Sequence, residues 1–275
     1  MSEARDVEEI EVALLLEAIY RRYGFDFREY APASLKRRVW RRVHAEGLET
    51  ISELMARVLH DPVCMERLLL DLSINVTAMF RDPSFYAAFR EQVVPLLRTY
   101  PFTRVWVAGC STGEEVYSLA IVLDEEGLLE RTRLYATDIN EAVLGRARLG
   151  VFSLEKMQEY TQNYVHSGGT RAFSEYYLAS YDGAVFDRRL TENAVFAQHN
   201  LVSDGAFNEF HVIVCRNVMI YFDRALQERV FHLFRESLTT FGVLALGHKE
   251  TVRFSGYGDR FEELDGREKL WRKIS

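Results

Sequence analysis

Residues 104–120 read RVWVAGCSTGEEVYSLA, and this stretch decides the fold. A β-rich apolar run (Val105, Trp106, Val107, Ala108) breaks at Gly109, crosses Cys110, Ser111, Thr112 and Gly113, and turns helical from Glu114. A strand, a glycine turn and a helix N-terminus in this order form the place where α/β sheets hold a nucleotide-like ligand, at the carboxyl end of a strand. Glycine there lets the backbone approach the ligand with no Cβ in the way. The helix opens on Glu114 and Glu115. Carboxylates stabilise a helix N-terminus but repel a pyrophosphate. The pattern points away from a dinucleotide and toward an adenosine cofactor carrying positive charge, a description that S-adenosylmethionine fits.

Such a site needs an acid at the end of the next strand to bind ribose hydroxyls. Leu134, Tyr135, Ala136 and Thr137 lead into Asp138, 25 residues beyond Gly113, against an interval of about 20 in the general pattern. The alternative is that Asp138 only caps the helix that Asn140 opens. From Arg104 onward strands (104–108, 133–137, 194–198, 210–215, 242–247) alternate with helices (near 114–124, 140–149, 224–238), which predicts a mostly parallel sheet. A run at 269–274 is expected as an edge strand. The stretch 151–193 interrupts the alternation, with a hairpin-like run around Asp182 and Gly183, and is expected to be an inserted subdomain.

Upstream, residues 1 to about 75 carry helical periodicity, through Ile10, Ala13, Leu14 and Ile19 and again through Ile51, Leu54 and Val58. Near residue 80, Asp82 is placed to cap a helix with Pro83 at its first position. Between Ser34 and His44, Arg37, Arg38, Arg41 and Arg42 fall within one sector of about 140° at helical spacing, opposite Leu35, Val39, Trp40 and Val43. A solvated face of a core-packed helix accounts for this, and so does a docking strip for an acidic partner.

The bulk composition excludes several classes. The chain has 275 residues, a formal net charge of −7 and three widely spaced cysteines, Cys64, Cys110 and Cys215. These suit neither a disulfide framework nor a zinc site and imply a reducing, cytoplasmic setting. No apolar run of about 18 residues predicts a membrane span, and MSEARDVEEIEV lacks a signal-peptide pattern. The negative charge argues against nucleic acid as a partner.

Other candidates sit where strands end. FHVIVCRNVMIYFD (210–223) is a buried strand that turns abruptly polar at Cys215, Arg216 and Asn217, with Tyr221 near the same edge. His199, Asn200 and Leu201 follow a short strand and are placed to reach an adenine, with His199 itself read as structural. In NVTAMFRDP, Asn75, Thr77 and Arg81 precede the sheet. Arg81 suits a ligand carboxylate, which a guanidinium matches in bidentate geometry, or a surface ion pair.

Taken together, NVTAMFRDP, GCSTGEEVYSLA, ATDIN, HNL, CRNVMIYFD and LGHKE, in that order, resemble the chemotaxis receptor methyltransferases, the CheR family. The resemblance runs from about residue 10 to the end of the chain. It implies an S-adenosylmethionine-dependent protein-glutamate O-methyltransferase that forms methyl esters on the cytoplasmic helices of chemoreceptors. The implied fold is a Rossmann-like α/β methyltransferase sheet (104–275), with an all-helical N-terminal domain (1–78), a linker helix (79–103) and a small inserted β-subdomain at about 166–194. Implied cofactor contacts are Asn75, Thr77, Arg81, Glu115, Asp138, Asn200, Leu201, Arg216 and Asn217. Arg81 and Tyr221 are implied beside the transferred methyl, with no metal.

Three departures stand out. Val116 replaces a usual proline, Lys249 replaces a usual serine, and the arm preceding VFAQHNL is short. The short arm favours receptor recognition through the Arg37, Arg38, Arg41 and Arg42 face over tethering by a C-terminal receptor peptide. A regulatory module without catalysis, or a methyltransferase acting on a small acid or on nucleic acid, are the competing readings.

Overall fold

The computed structural model describes residues 2–73, 77–181 and 183–274, which fall into two compact units. The first comprises residues 1–75 and 221–229, the second residues 76–220 and 230–275.

The helical unit contains α1 (Ser2–Tyr23), α2 (Pro32–Ala45), α3 (Ile51–His60) and α4 (Pro62–Leu72). Its boundaries follow local chemistry. Thr50 and Glu53 form a reciprocal capping box at the start of α3, and Asp61 caps α4 with Pro62 in its first turn. Along α1 the buried ridge is Leu15, Leu16 and Ile19, while Ile10 and Leu14 of the expected apolar face are exposed. The ridge is the side that packs on α3. On α2, Leu35, Val39 and Val43 are buried as their spacing predicts.

The arginine strip of α2 does not lie in solvent as a unit, which corrects its reading as a four-residue docking face. Arg38 is buried, donates to the Leu72 carbonyl and sits over the Tyr221 ring, 5.1 Å from its centroid. Burial lowers its pKa. Arg42, 14% exposed, holds Asp71 at 2.6 Å and Glu46 at 3.2 Å. Arg41 reaches the same Asp71 but stays 68% exposed, and Arg37 is exposed. The Asp71 and Glu46 side chains are themselves nearly buried, and a buried carboxylate is tolerated only when charged or hydrogen-bonding partners compensate it.

The second unit begins with α5 (Pro83–Ala88), which passes through one π-turn (Phe89–Val93) into α6 (Val94–Arg98). β1 (Thr103–Ala108), α7 (Glu114–Glu125), β2 (Thr132–Asp138) and α8 (Glu141–Leu149) follow. The insertion comprises β3 (Val151–Phe152), α9 (Met157–His166), β4 (Tyr177–Ser180) and β5 (Gly183–Phe186). After it come β6 (Ala194–Gln198), β7 (Phe210–Cys215), α10 (Arg224–Ser237), β8 (Leu238–Leu246), β9 (Phe261–Asp265) and β10 (Leu270–Lys273).

The seven-stranded sheet has the order β6-β2-β1-β7-β8-β10-β9. Pairs from β6 to β8 are parallel, and β10 is antiparallel to both neighbours. The expected edge strand at 269–274 is therefore internal, and β9 forms the edge. Its sequence, FEELD, offers the buried Phe261 and the partly buried Leu264 separated by two glutamates, and gives no run of apolar residues to read.

The small sheet β3-β5-β4 draws its first strand from Val151–Phe152, upstream of the 166–194 range expected for it. Asp182, at the tip of the expected hairpin, lies outside the described residues. Glu125, at the end of α7, fastens this insertion. It accepts hydrogen bonds from the hydroxyls of Tyr164 and Tyr176 and from the Thr170 N–H, and pairs with Arg90. Burial opposes its charge, but these donors outweigh it and hold its pKa below the ordinary value.

Replacing Arg42 by Ala leaves buried Asp71 to the exposed Arg41 alone, while Glu46 keeps Arg67 and Arg57. The change is expected to cost about 2–3 kcal/mol of stability, below the range of about 3–5 for breaking a buried pair outright because both acids retain a partner. Chemical denaturation of the variant reads this loss directly, and an unchanged midpoint would refute the pairing.

Candidate functional site

The parallel sheet reverses its order at β1: the chain lays β2 and β6 on one side, then returns to place β7 on the other. The crevice beyond the carboxyl ends of β1 and β7 is the ligand position for sheets of this topology. Two loops converge there. Gly109 has φ +74°, and a Cβ on it would stand 2.5 Å from Val218 Cγ2, so the loop after β1 touches the loop after β7. Gly113, φ +99°, faces the Ala147 backbone and methyl on α8 with no room for a side chain. Of the six described non-glycine residues with positive φ, four flank this crevice: Phe80, Asp82, Ser111 and Asn217. Backbone strain concentrated in this way marks functional sites.

At the β2 end, Asp138 is buried and accepts the Ser111 N–H at 2.9 Å and the Asn140 N–H at 3.0 Å. Burial raises its pKa, against the lowering effect of these backbone donors. The reading of Asp138 as the cap of α8 is therefore corrected: Asn140 supplies the side-chain cap, and Asp138 orders the turn ahead of it. The neighbouring segment follows Asp138 in register, with Gln198 beside it and the His199 N–H donating to its carbonyl at 3.1 Å. His199 Nε2 lies 3.2 Å from the Gly205 carbonyl, and its ring packs on Trp106, which keeps it structural. Asn200 and Leu201 are buried immediately after it.

At the α7 end, Glu115 lies in the first helical turn with Glu114. Glu115 Oε1 accepts Arg216 Nη1 at 2.7 Å. Arg216 Nη2 reaches Asp82 Oδ2 at 2.8 Å and the Arg81 carbonyl at 3.1 Å. The Arg216 side chain is 2% exposed, with the Phe85 ring 4.1 Å from its guanidinium carbon. Burial acts to lower its pKa, but Glu115, Tyr86 and Asp82 outweigh that and raise it. Its Nε is buried without a partner among the described residues. Asp82 starts α5 but makes no side-chain cap bond, contrary to the capping role read from its place before Pro83. Its carboxylate turns to Arg216 instead.

Two further acids are not among the candidate site residues, Glu114 being read from sequence only as part of the helix opening. Glu114 is buried, accepting the Thr112 hydroxyl at 2.6 Å and the Tyr160 hydroxyl at 3.4 Å. Glu250 binds the N–H groups of Gly247, Asn217 and Ile220 at 2.7, 3.0 and 3.2 Å, joining the loops after β7 and β8. Its place in LGHKE, directly after a strand, was the available signal.

The structure thus brings Arg81, Glu115, Arg216 and Asn217 to one end of the sheet, with Asp138, Asn200 and Leu201 at its β2–β6 side. Thr77 lies in irregular chain ahead of α5. Tyr221 belongs to the helical unit, where its carbonyl accepts the Ala31 N–H. Asn75 lies outside the described residues. Two carboxylates flank the buried Arg216 guanidinium, and Glu114 and Asp138 are buried close by, so the acids outnumber Arg216 and Arg81 and suit a cationic ligand. The unpaired Nε and the nearby Arg81 add donors for a carboxylate. A ligand bearing a sulfonium, an ammonium and a carboxylate meets both demands.

Comparison with known proteins agrees with this chemistry. The family model described as CheR methyltransferase, SAM binding domain, matches residues 75–270, and the CheR methyltransferase all-alpha domain matches residues 10–73. A Pseudomonas putida protein carrying the name methyltransferase Cher3 is 52% identical over 265 residues, which are 96% of this chain and 97% of that protein. The chemotaxis protein methyltransferase of Salmonella typhimurium is 31% identical over 244 residues, 86% of this chain and 82% of its own length. That of Listeria innocua is 30% identical over 241 residues, 85% and 87% respectively. Among the described residues no helix is long and apolar enough to cross a membrane.

Calorimetry on Asp138→Ala is expected to show about 1.5–3 kcal/mol less binding free energy for S-adenosylhomocysteine, the range for hydrogen bonds to a charged group. Ribose hydroxyls donate to the ionised carboxylate, whose pKa burial raises. Affinity should therefore be full at neutral pH and fall on acidification, at a pH above the ordinary carboxylate range. The fall should vanish in Asp138→Asn. Unaltered affinity in the alanine variant would remove Asp138 from the site.

Proposed function

Because this chain belongs to the CheR methyltransferase family, we propose that it methylates glutamate side chains on the cytoplasmic helices of chemoreceptors, forming carboxyl methyl esters in a chemosensory pathway. The observation that carries the reading is the braced acid pair at the β1–β7 crevice in a chain that also has the family's all-α domain.

In this reading Asp138 holds the ribose hydroxyls, Asn200 and Leu201 line the adenine, and Glu115 faces the cationic methionyl group. Thr77 and Asn217 complete the contacts. Bound S-adenosylmethionine supplies an electrophilic methyl group on a sulfonium. The acceptor, a glutamate ionised at neutral pH, needs no general base. In keeping with that chemistry, the site's carboxylates, Asp138 and Glu115, are assigned to the cofactor and not to proton transfer, and His199 Nε2 faces a backbone carbonyl. The chain's task is alignment and exclusion of water, and alignment alone is worth several kcal/mol in well-oriented reactions. Arg81 orients the reacting groups and takes no proton. Arg216 acts mainly as a brace, with Nε as its remaining donor toward the cofactor.

The decisive assay incubates the chain with methyl-labelled cofactor and receptor cytoplasmic domains, then applies mild base, which hydrolyses carboxyl methyl esters. Base-labile label on the receptor is expected, and Arg81→Ala should abolish it while circular dichroism stays unchanged. Label that survives mild base would point to another acceptor atom.

For docking, Arg37 and Arg41 remain of the α2 strip, since Arg38 and Arg42 serve the helical unit itself. Exposed charge attraction is screened over about 8 Å at physiological ionic strength. Methylation should fall as salt rises, and Arg37→Glu with Arg41→Glu should weaken receptor binding without altering cofactor affinity. If instead deleting the last residues of the receptor cuts the rate tenfold and the reversals do nothing, recognition runs through the inserted sheet.

A further inference from the structure

Arg81 sits between two residues in the left-handed region, Phe80 (φ 50°) and Asp82 (φ 57°), neither of them glycine. Each neighbour is tied independently to the first turn of α7. On one side, the Phe80 N–H donates to Ser118 Oγ at 2.9 Å, and that hydroxyl donates to the Glu114 carbonyl at 2.7 Å. The Phe80 ring is buried against Tyr86, Tyr164 and Phe173. On the other side, Asp82 Oδ2 and the Arg81 carbonyl share Arg216 Nη2, while Arg216 Nη1 holds Glu115. The backbone on both sides of Arg81 is thus referenced to the helix turn that carries Glu114 and Glu115.

An aspartate ahead of a helix ordinarily takes extended backbone and accepts an N–H of the first turn. Asp82 does neither, and its carboxylate is spent on Arg216. We propose that Asp82 is a positioning residue: locked on Arg216, it fixes the direction in which Arg81 leaves the backbone and so sets Arg81 and Glu115 in one frame around the cofactor. Without the carboxylate, residue 82 relaxes toward ordinary cap geometry, the peptide plane between 81 and 82 rotates, and the guanidinium at the end of the long Arg81 side chain is displaced most. Nothing in the comparisons assigns a role to this residue. The inference rests on the proposed role of Arg81 at the cofactor and is independent of which acceptor takes the methyl group.

The test is a double-mutant cycle on the full chain, read by calorimetric binding of S-adenosylhomocysteine. Asparagine tolerates left-handed backbone, so Asp82→Asn removes the charge while retaining that preference. It should weaken binding about 5- to 30-fold, within the coupling range of residues in one network. Arg81→Ala should weaken binding at least as much, and the double variant should be no weaker than Arg81→Ala within about twofold, because Asp82 acts through Arg81. Asp82→Glu, which keeps a carboxylate, should stay within about threefold of wild type.

A purely structural ion pair would lower the thermal midpoint and leave the affinity of the folded chain intact, so wild-type affinity in Asp82→Asn overturns the proposal. Additive losses in the double variant overturn it as well. If Arg81→Ala binds normally, the role of Arg81 falls and this proposal with it. Should Asp82→Asn fail to fold, Asp82→Ser in the same cycle decides by the same criteria. An intact binding cycle beside absent base-labile methylation would fault the acceptor reading alone.

Discussion

One buried guanidinium organises the ligand edge of this chain. Arg216 emerges at the end of β7, loses nearly all contact with solvent, and recovers the loss through Glu115 on α7 and Asp82 ahead of α5. Removing an ion from water costs several kcal/mol even after relaxation, so such a group persists only where its partners are well placed. Three segments far apart in sequence must therefore agree in position before the arginine is tolerated. The crevice between β1 and β7 is shaped by that agreement as much as by the sheet.

The charge count around the arginine carries the chemistry further. One cation faces two carboxylates, and two more acids stand buried close by, Glu114 at the start of α7 and Asp138 at the end of β2. A site for an anionic cofactor places helix N–H groups or arginines against phosphate. This one places acids at the same helix terminus, where they also satisfy the dipole of α7. The excess negative charge is the property a sulfonium cofactor exploits. Glu250, engaged by three backbone N–H groups, contributes rigidity to the neighbouring loops and offers no charge to a ligand.

The sequence made some of this legible and concealed the rest for physical reasons. GCSTGEE and the acid ending ATD were readable because a strand, a tight turn and a helix start each impose local residue choices. The parallel character of the central sheet followed from the alternation of strands and helices. The fate of the α2 arginines did not follow, because a helical projection shows which side chains share a face and says nothing of acids on another helix. Asp71 and Glu46 turn Arg42 inward, and Tyr221 lies beneath Arg38. Asp82 was misleading in the same way. Its position before Pro83 has the local signature of a cap, and the long-range pull of Arg216 overrides it. The edge strand β9 escaped notice because half-exposed, charge-rich edge strands carry little apolar signal.

The distribution of backbone strain supports the same division of labour. Ser111 and Asn217 are left-handed where the loops after β1 and β7 meet, and Phe80 and Asp82 are left-handed on either side of Arg81. Each such residue costs free energy that the rest of the fold must offset. The offset here is specific: Ser111 is held by the Asp138 carboxylate, Asn217 by Glu250, Phe80 by Ser118 and Asp82 by Arg216. Three of the four restraints come from a charged group in a buried position. Local preference alone would release these turns. The loops that present candidate ligand groups are thus the least favourable backbone in the unit and the most heavily restrained, a combination suited to a reaction that depends on alignment and not on proton transfer.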